Sequence, residues 1–397
     1  MSKRQWPLLW GGIFLALVLF FGFALWGQEI PLHYPSSGLK FLQWAGLAQF
    51  KKPSVLWEYA AQLDDIVLIR WDDGNFASLR QKVAGTKLIT LAPTGEEIWR
   101  REVPSGGIVV SQGDMWAVID GEQGEVALYQ VDGHLAWRQK WSWPLQNVVI
   151  SPAGEVLAFL DPLQESDGNL VEKMVFVKAD GQAAWEHIVR NGSILTGGFT
   201  TTHVGVNQFM FHQESLLNQF IILDKEGNLE GKLNCKEETF FLDVCPVAEN
   251  TWVLAGQKVL YYVTNSGEVC QKFFSDRSLQ RLVPPPLQPG ALVTVTFGDG
   301  FGSGSVVAFL DTPGNSAWER GFSTPAKDLL VEVTPTTIIV ADGKGIYGFN
   351  YAGEIKWYYP ATDVINIAVA PLEEQLLVYT ETGVITMLEL PVVTEGV

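Results

Sequence analysis

The residues best suited to chemistry in this sequence are an acidic stretch and a glycine-rich stretch. Residues 161–169 read D-P-L-Q-E-S-D-G-N, which places several oxygen ligands of the kind that Ca²⁺ binds close together. Their spacing is not that of an EF-hand loop, and the stretch lies between two apolar runs. We therefore predict a solvated hairpin here rather than a metal site.

The glycine-rich stretch, residues 298–305, reads G-D-G-F-G-S-G-S and resembles a phosphate-binding loop in composition alone. A phosphate loop needs a following helix whose N-terminal N–H groups bind the anion, and here an apolar β-rich run follows instead. The sequence therefore predicts a flexible hairpin at this position.

The histidines are not spaced as metal ligands or as members of a catalytic set. We assign His203 and His212 to different strands, and the sequence contains no recognisable Ser-His-Asp or Cys-His arrangement. No catalytic, cofactor-binding or metal-binding residue is predicted. The five histidines are His33, His134, His187, His203 and His212.

The strongest pattern in the chain is a glycine followed four residues later by a tryptophan, after a short apolar run. Val126 to Trp137, reading V-A-L-Y-Q-V-D-G-H-L-A-W, is the clearest copy, because Asp-Gly tolerates the positive φ of a tight hairpin. Five copies keep both residues: Gly95 and Trp99, Gly133 and Trp137, Gly181 and Trp185, Gly314 and Trp318, Gly353 and Trp357. In two further copies, Gly227 and Gly267 are followed by Gly231 and Gln271 at the tryptophan position.

The spacing of these glycines indicates a β-propeller. Successive glycines are 38, 48, 46, 40, 47 and 39 residues apart, and each interval holds about four short strands, the period of a propeller blade. After Trp357 three strands remain, Val364 to Ala370, Gln375 to Thr380 and Val384 to Leu390. A lone early strand, residues 54–59 with Trp57, is expected to join residues 362–390 and close the ring, which removes exposed strand edges. The predicted fold is all-β: an eight-bladed β-propeller over residues 54–390, with residues 391–397 as a tail.

The N-terminal residues predict a transmembrane helix. Residues 6–26 are uncharged and long enough to cross the hydrocarbon core, with Trp6 and Trp26 near the two interfaces. Lys3 and Arg4 place the short tail, residues 1–5, in the cytoplasm and the propeller outside. The alternative is a cleaved signal peptide, and in both cases the propeller is exported. Residues 27–53 form a connector in which residues 39–50 are expected to form a short helix, packed on the propeller or lying at the membrane.

The net charge limits the classes of partner that the chain can bind, and the number of cysteines limits the disulfides that it can form. The formal net charge is −17, which argues against nucleic acid as a partner because phosphate binding needs clustered Lys and Arg. The three cysteines, Cys235, Cys245 and Cys270, permit at most one intrachain disulfide. A disulfide between Cys235 and Cys270 is one expectation, and three free, buried thiols are the other. Cys245 is expected to be packed and inert.

At its glycine–tryptophan stretches the sequence resembles the quinoprotein-like, or PQQ-like, β-propeller repeat family. Residues 91–99, L-A-P-T-G-E-E-I-W, and 310–318, L-D-T-P-G-N-S-A-W, are closest to that family's apolar-Asp-x-x-Thr-Gly-x-x-x-Trp repeat. The resemblance implies eight blades over residues 54–390. It also implies that the outer-strand tryptophans, Trp57, Trp99, Trp137, Trp185, Trp318 and Trp357, dock each blade on the next.

The family contains both quinone-dependent dehydrogenases and non-catalytic scaffolds, such as the propeller lipoprotein of outer-membrane barrel assembly. A dehydrogenase of this family is expected to need a Ca²⁺ site, a base and often a disulfide between adjacent cysteines, and no two cysteines are adjacent here. We therefore predict that the chain is a non-catalytic scaffold and that it binds no cofactor. The predicted function is a membrane-anchored, extracytoplasmic scaffold that binds a protein or a cell-envelope polymer. The alternative is an enzyme, for example a quinone-dependent oxidoreductase, with its site at the central channel. The oligomeric state stays open.

Overall fold

Short apolar runs separated by turns fold into β-strands throughout the part of the chain that is described. The computed structural model describes residues 51–391 except 61–65, 73–74, 83–84, 93, 104–106, 113–114, 131, 166–169, 213–214, 236–240, 242, 275–276, 287, 298–303, 313–314 and 370–374. For residues 66–87, 111, 212, 215, 271, 273–274 and 312 it describes the backbone alone. The described strands form eight four-stranded antiparallel sheets, so the prediction of an all-β chain with eight sheets is confirmed.

Each sheet is one blade, and in blades 1 to 7 the strands follow one another in the chain from the first to the fourth. The strand that enters the last blade from the start of the described chain is β1, Ser54–Ala60. Blades 1 and 2 consist of β2 (Ile66–Asp72), β3 (Asn75–Lys82), β4 (Gly85–Leu91), β5 (Glu97–Val103), β6 (Ile108–Gln112), β7 (Met115–Asp120), β8 (Glu125–Gln130) and β9 (Leu135–Lys140). Blades 3 and 4 consist of β10 (Leu145–Ile150), β11 (Val156–Gln164), β12 (Leu170–Val177), β13 (Ala183–Arg190), β14 (Gly192–Phe199), β15 (His203–His212), β16 (Ser215–Asp224) and β17 (Leu229–Cys235).

Blades 5 to 8 repeat the arrangement, with one short 3₁₀ helix, Ala326–Asp328, before blade 7. Blades 5 and 6 consist of β18 (Asp243–Ala248), β19 (Thr251–Ala255), β20 (Val259–Thr264), β21 (Val269–Phe274), β22 (Ser278–Val283), β23 (Leu292–Phe297), β24 (Ser305–Thr312) and β25 (Asn315–Phe322). Blades 7 and 8 consist of β26 (Leu330–Val333), β27 (Ile338–Ala341), β28 (Ile346–Phe349), β29 (Ile355–Tyr359), β30 (Val364–Val369), β31 (Gln375–Thr380) and β32 (Val384–Glu389), with β1 as the fourth strand of blade 8.

The burial of each strand follows from its place in the blade. The second and third strands, such as β7 and β8, are buried at four consecutive residues, because neighbouring blades cover both faces of the sheet. The fourth strands, such as β9 and β17, are mostly exposed and bury isolated residues. The continuous apolar runs in the sequence therefore mark the middle of each blade, and the mixed runs mark its outer strand.

The sheets are joined into a ring by eight hydrophobic clusters of described residues, one at each junction between neighbouring blades. The cluster between blades 8 and 1 contains Ile89 and Leu91 from blade 1 with Leu377, Tyr379 and Met387 from blade 8. First strands of neighbouring blades also contact one another, from β6 through β10 and onward to β30 and β2. The first strands therefore lie at the centre and the fourth strands at the rim.

The ring is closed by two segments that lie more than 300 residues apart in the chain. β1 pairs antiparallel with β32, with Trp57 opposite Met387 and Ser54 opposite Glu389, and the Ser54 hydroxyl donates to Glu389 Oε2 over 3.0 Å. Lys51, just before β1, forms an isolated parallel bridge with Trp357. The first described strand therefore completes the last blade.

The recurring glycines and tryptophans meet across the junctions. The contacts join Trp57 to Gly95, Trp99 to Gly133, Trp137 to Gly181, Trp185 to Gly227, and Trp318 to Gly353. These glycines have φ between 81° and 87°, and a Cβ on any of them would lie 2.7–2.9 Å from the tryptophan of the preceding blade. Glycine is thus required at each of these positions for two reasons: the hairpin has a positive φ there, and the indole approaches too closely for a Cβ. Trp357 is fully buried in the cluster between blades 7 and 8, and Gly314 lies outside the described residues. That these tryptophans hold the blades together stays a prediction.

The junction between blades 4 and 5 is built differently, because Gly231 stands where most blades have tryptophan. A Cβ on Gly231 would lie 2.1 Å from the carbonyl oxygen of Asn265, so the two backbones touch directly. Trp252, on β19, packs against Gly205 of blade 4 instead, and its Nε1 donates to Asn265 Oδ1 over 2.8 Å. The indole therefore enters this junction from a middle strand rather than from an outer one.

Several sequence predictions concern residues outside the described part of the chain. These are the cytoplasmic tail, the membrane span over residues 6–26, the orienting residues Lys3, Arg4, Trp6 and Trp26, and the connector helix over residues 39–50. Among the described residues there is no helix with the length and apolar character needed to cross a membrane.

Candidate docking face

The two stretches considered for chemistry lie largely outside the described residues. Asp161 to Gln164 form the end of β11, and residues 166–169 and 298–303 lie outside the described residues. No group of three or more His, Cys, Asp or Glu side chains that could hold a metal ion occurs in the described ranges. The prediction that His203 and His212 lie in different strands is wrong, since they are the two ends of the single strand β15.

His187 and His203 hold neighbouring strands together. His203 Nε2 lies 2.7 Å from Glu230 Oε2, and its Nδ1 lies 3.0 Å from Asn265 Nδ2 of blade 5. His187 Nε2 lies 2.9 Å from Gln208 Oε1. His134 is exposed in the hairpin of Gly133, and His33 lies outside the described residues.

The cysteines are all free thiols, so the alternative of a disulfide between Cys235 and Cys270 is wrong. The alternative of three buried thiols is wrong in one respect, because Cys270 is exposed. Cys235 is buried, whereas Cys270 is exposed on the outer strand of blade 5, with its Sγ 3.2 Å from the carbonyl oxygen of Tyr262. Burial, and after it the charge of Asp243, raises the pKa of the Cys245 thiol to about 12, because both disfavour the thiolate.

Thiol titration is expected to separate the three cysteines. The thiolate is the reactive form, so at pH 8 an aromatic disulfide reagent should react quickly with the exposed Cys270 and not with Cys245 until the chain unfolds. In the Cys270→Ser variant the rapid phase should disappear, while urea should release the remaining two thiols. Native protein without a rapid phase would contradict this assignment.

The most distinctive surface feature is a pair of long hairpins on blades 3 and 4. Strands β11 and β12 have nine and eight residues, and β15 and β16 have ten each, whereas β7 and β8 of blade 2 have six. In blade 3 the pairing continues to Gln164 opposite Leu170, and in blade 4 to His212 opposite Ser215. These second-to-third-strand hairpins, which we call the paired hairpins, emerge on the face where each fourth strand connects to the next blade.

The paired hairpins are fastened side by side through one residue, Asn191, which is the whole connection between β13 and β14. Its N–H donates to the carbonyl oxygen of Leu170 over 3.0 Å, and its carbonyl oxygen accepts from the N–H of Phe211 over 2.7 Å. Asn191 has φ of 52°, a left-handed conformation that asparagine tolerates better than most residues. The two hairpins are therefore held in a fixed relative position.

The paired hairpins present large apolar side chains to solvent. Leu163 is 37% exposed, Leu170 52% and Phe211 65%, and the ring of Phe209 meets that of Phe211 edge-on at 5.6 Å between centroids. Other exposed apolar residues lie elsewhere in the blades, for example Leu229 on the outer strand of blade 4 and Ile365 on the first strand of blade 8. Exposed apolar groups on neighbouring hairpins that share a rigid support are typical of a surface that binds a partner.

Charged side chains border this apolar surface and are paired with each other. Arg190 Nη2 lies 3.8 Å from Glu165 Oε1, and Lys173 Nζ lies 2.8 Å from Glu186 Oε2 and 5.0 Å above the ring of Trp143. An apolar centre with a polar border is the usual composition of a protein–protein interface.

Buried polar groups fix the base of the paired hairpins. The Glu172 carboxylate is buried and accepts from the Ser193 hydroxyl and the Ile194 N–H, both at 2.6 Å, which ties β12 to β14. Within blade 4, Gln208 Nε2 donates to Gln219 Oε1 over 3.1 Å. These buried hydrogen bonds restrain the strands at the base of the paired hairpins.

Sequence reasoning missed the paired hairpins, although a signal was available. The glycine steps that span blades 3 and 4 are 48 and 46 residues, longer than the steps of 38 to 40 seen elsewhere in the chain. The extra residues lengthen the middle strands of these blades. The comparable step of 47 residues before Gly314 is taken up partly by the proline-rich segment between β22 and β23.

Comparison with known proteins supports the fold. Residues 85–234 match a family model described as outer membrane protein assembly factor BamB. The crystal structure of BamB from Moraxella catarrhalis is similar over 85% of this chain and 99% of that chain, with 12% sequence identity and a TM-score of 0.52. The predicted resemblance to the PQQ-like propeller repeats is confirmed.

Two further solved structures are more distant. Hsv2 from Kluyvelomyces marxianus covers 72% of this chain and 92% of its own at 12% identity and a TM-score of 0.47. A protein of unknown function from Bacteroides caccae covers 63% and 94% at 11% identity and a TM-score of 0.37. Among curated proteins there is no sequence match.

Proposed function

We propose that this chain is a protein-binding scaffold of the cell envelope, anchored in the membrane by residues 6–26 with its propeller outside the cytoplasm. The observation that carries the proposal is the pair of hairpins on blades 3 and 4, which expose Leu163, Leu170 and Phe211. A closed ring of blades gives these hairpins a rigid base, and rigid loops on a fixed frame are suited to recognition.

A protein partner is favoured over a polymer or nucleic acid by the chemistry of this face. Polymers of sugars and phosphates are polar, whereas the paired hairpins offer aliphatic and aromatic side chains with a paired-charge border. The net charge of −17 also disfavours polyanions. The description of the matching family, an outer membrane assembly factor, supports a partner in the envelope.

Site-specific photocrosslinking in intact cells tests the proposal. A benzophenone amino acid at position 211 is expected to capture a discrete envelope protein, because Phe211 is the most exposed large apolar residue of the paired hairpins. The same amino acid at position 229 is the matched control, because Leu229 is 59% exposed but lies on the outer strand of blade 4. If residues 6–26 anchor the chain in the membrane, the crosslinked adducts should stay in the membrane fraction after an alkaline wash.

The expected crosslink should disappear when Leu170→Asp is added, with the melting temperature unchanged. Equal capture from positions 211 and 229, or adducts with lipid and self alone, would contradict the docking proposal. Release of the uncleaved chain by the alkaline wash would contradict the anchor without affecting the docking result.

A further inference from the structure

The connection between blades 3 and 4 contains the one Asn-Gly dipeptide of the sequence, Asn191–Gly192. An asparagine followed by glycine is chemically labile, because the backbone nitrogen of the next residue can attack the side-chain carbonyl carbon and glycine has no Cβ to obstruct it. The reaction also requires that the fold leave the side-chain carboxamide of Asn191 and the backbone nitrogen of Gly192 free to react.

The fold restricts which residues can occupy both positions of this link. Asn191 adopts φ of 52°, which β-branched and bulky residues avoid. A Cβ on Gly192 would lie 2.1 Å from the carbonyl oxygen of Phe209, so no other residue fits there without moving the backbone. Joining β13 to β14 through a single residue therefore favours a residue that tolerates positive φ at position 191, followed by glycine.

The electrophile is free. The side chain of Asn191 is exposed, and its carboxamide has no hydrogen bond among the described residues. By contrast, Asn265 accepts from Trp252 Nε1 at its Oδ1, and Asn315 Nδ2 donates to Asp311 Oδ1 over 2.9 Å. Those two asparagines are each followed by serine, and their carboxamides are engaged.

The nucleophile is also free of the sheet ladder. The bond from Phe211 N–H to the Asn191 carbonyl marks positions 191 and 211 as a hydrogen-bonded pair, so the next pair, Gly192 with Met210, is a non-bonded one. The N–H of Gly192 therefore points to the opposite edge of β14, which is the innermost strand of blade 4. The Gly192 nitrogen is not held by β15.

We propose that Asn191–Gly192 is a site of spontaneous deamidation at the centre of the paired hairpins. The deprotonated Gly192 nitrogen attacks Cγ of Asn191, the bond from Cγ to the side-chain nitrogen breaks, and ammonia leaves, which gives a cyclic imide. Water then adds to the imide. Opening at Cγ gives aspartate, and opening at the main-chain carbonyl carbon gives isoaspartate, in which the backbone runs through Cβ and Cγ.

Isoaspartate would disturb the link between the hairpins more than aspartate. It lengthens the main chain by one carbon, so the carbonyl that accepts from Phe211 and the N–H that donates to Leu170 can no longer both keep their positions. Aspartate keeps the backbone and adds one negative charge. The effect on partner binding rests on the proposed function, whereas the deamidation itself does not.

Peptide mapping of the aged protein tests the proposal. The purified full chain is incubated at pH 8.5 in its folded state and in urea, and the conversion of Asn191 is followed by mass spectrometry and by an isoaspartate methylation assay. Folded protein is expected to convert Asn191 faster than Asn265 and Asn315, with isoaspartate among the products. In aged protein the amide of Phe211 is expected to lose protection from hydrogen exchange.

Two variants at position 191 distinguish the effect of the lengthened backbone from the effect of the added negative charge. Asn191→Gly keeps the left-handed backbone and has no carboxamide, so it should yield no isoaspartate and keep Phe211 protected on ageing. Asn191→Asp adds the charge without lengthening the backbone and should also keep Phe211 protected. Retention of the Asn191 amide in folded protein, while urea-unfolded protein converts it, would overturn the proposal.

Discussion

Removing β1 is expected to abolish cooperative folding of the propeller. A chain that begins at residue 61 lacks the strand that pairs with β32, and it also lacks Trp57 and Tyr59, which pack on the cluster between blades 8 and 1. The unpaired edge of β32 would then be free to pair with other chains. Circular dichroism and light scattering during a thermal ramp should show a broad, lowered transition with aggregation. A truncated chain with an unchanged sharp transition would show that β1 does not hold the ring closed.

A disulfide across the same pair of strands tests the closure in the opposite direction. Ser54 and Glu389 are directly opposite each other, so Ser54→Cys with Glu389→Cys, in a Cys270→Ser background, should form a bridge. Closing so long a loop is expected to stabilise the fold by about 3–5 kcal/mol, and reduction should remove the gain. The control pair, Ser54→Cys with Thr386→Cys, is displaced by three residues, about 10 Å along β32, and should not bridge.

The second large effect is expected at the junction between blades 2 and 3, where Trp137 packs on Gly181. Trp137→Ala removes a buried indole and should lower the free energy of unfolding by about 3–5 kcal/mol. Gly181→Ala forces a Cβ to within 2.8 Å of Trp137 and places alanine at φ of 86°, so it should also destabilise strongly. Urea denaturation measures both.

A matched glycine separates the contact from the backbone strain. Gly290 has φ of 84° and no atom within 4 Å of a Cβ, so Gly290→Ala should cost about 1 kcal/mol from conformation alone. The double variant Trp137→Ala with Gly181→Ala should be less destabilised than the sum of the singles, by roughly 1–2 kcal/mol, because the clash is gone. Strict additivity, or equal effects of Gly181→Ala and Gly290→Ala, would mean that the indole does not dock on the glycine.

The repeating part of the fold could be predicted because its physical requirements recur in the sequence. A hairpin with φ near 85° at one position needs glycine, and a close-packed outer strand can place a tryptophan four residues later. The sequence shows only three strands after Trp357 and one lone strand around Trp57. In the structure the lone strand, β1, pairs with β32 and supplies the missing fourth strand. The spacing of the glycines predicts the number of blades, but it does not show which strands contain the additional residues of the longer blades.

The parts that departed from the repeat could not be predicted. β15 has ten residues, about twice the usual strand length, and a typical strand could not contain both His203 and His212. The disulfide was an open expectation because sequence does not show which way a side chain on an outer strand faces. Cys235 turned out buried and Cys270 exposed. The contact between Leu170, Asn191 and Phe211 depends on two hairpins meeting in space, which no local pattern reports.

The docking face is tested most directly by the affinity of the captured envelope protein for purified propeller variants. The paired hairpins carry the proposed apolar centre, so Phe211→Ser with Leu170→Ser should weaken binding by about thirtyfold or more, since loss of buried anchor residues costs about 2 kcal/mol or more. Leu229→Ser, on the outer strand of the same blade, should bind like the unaltered protein. Equal affinities of the two variants, with melting temperatures unchanged, would show that the partner does not dock on the paired hairpins.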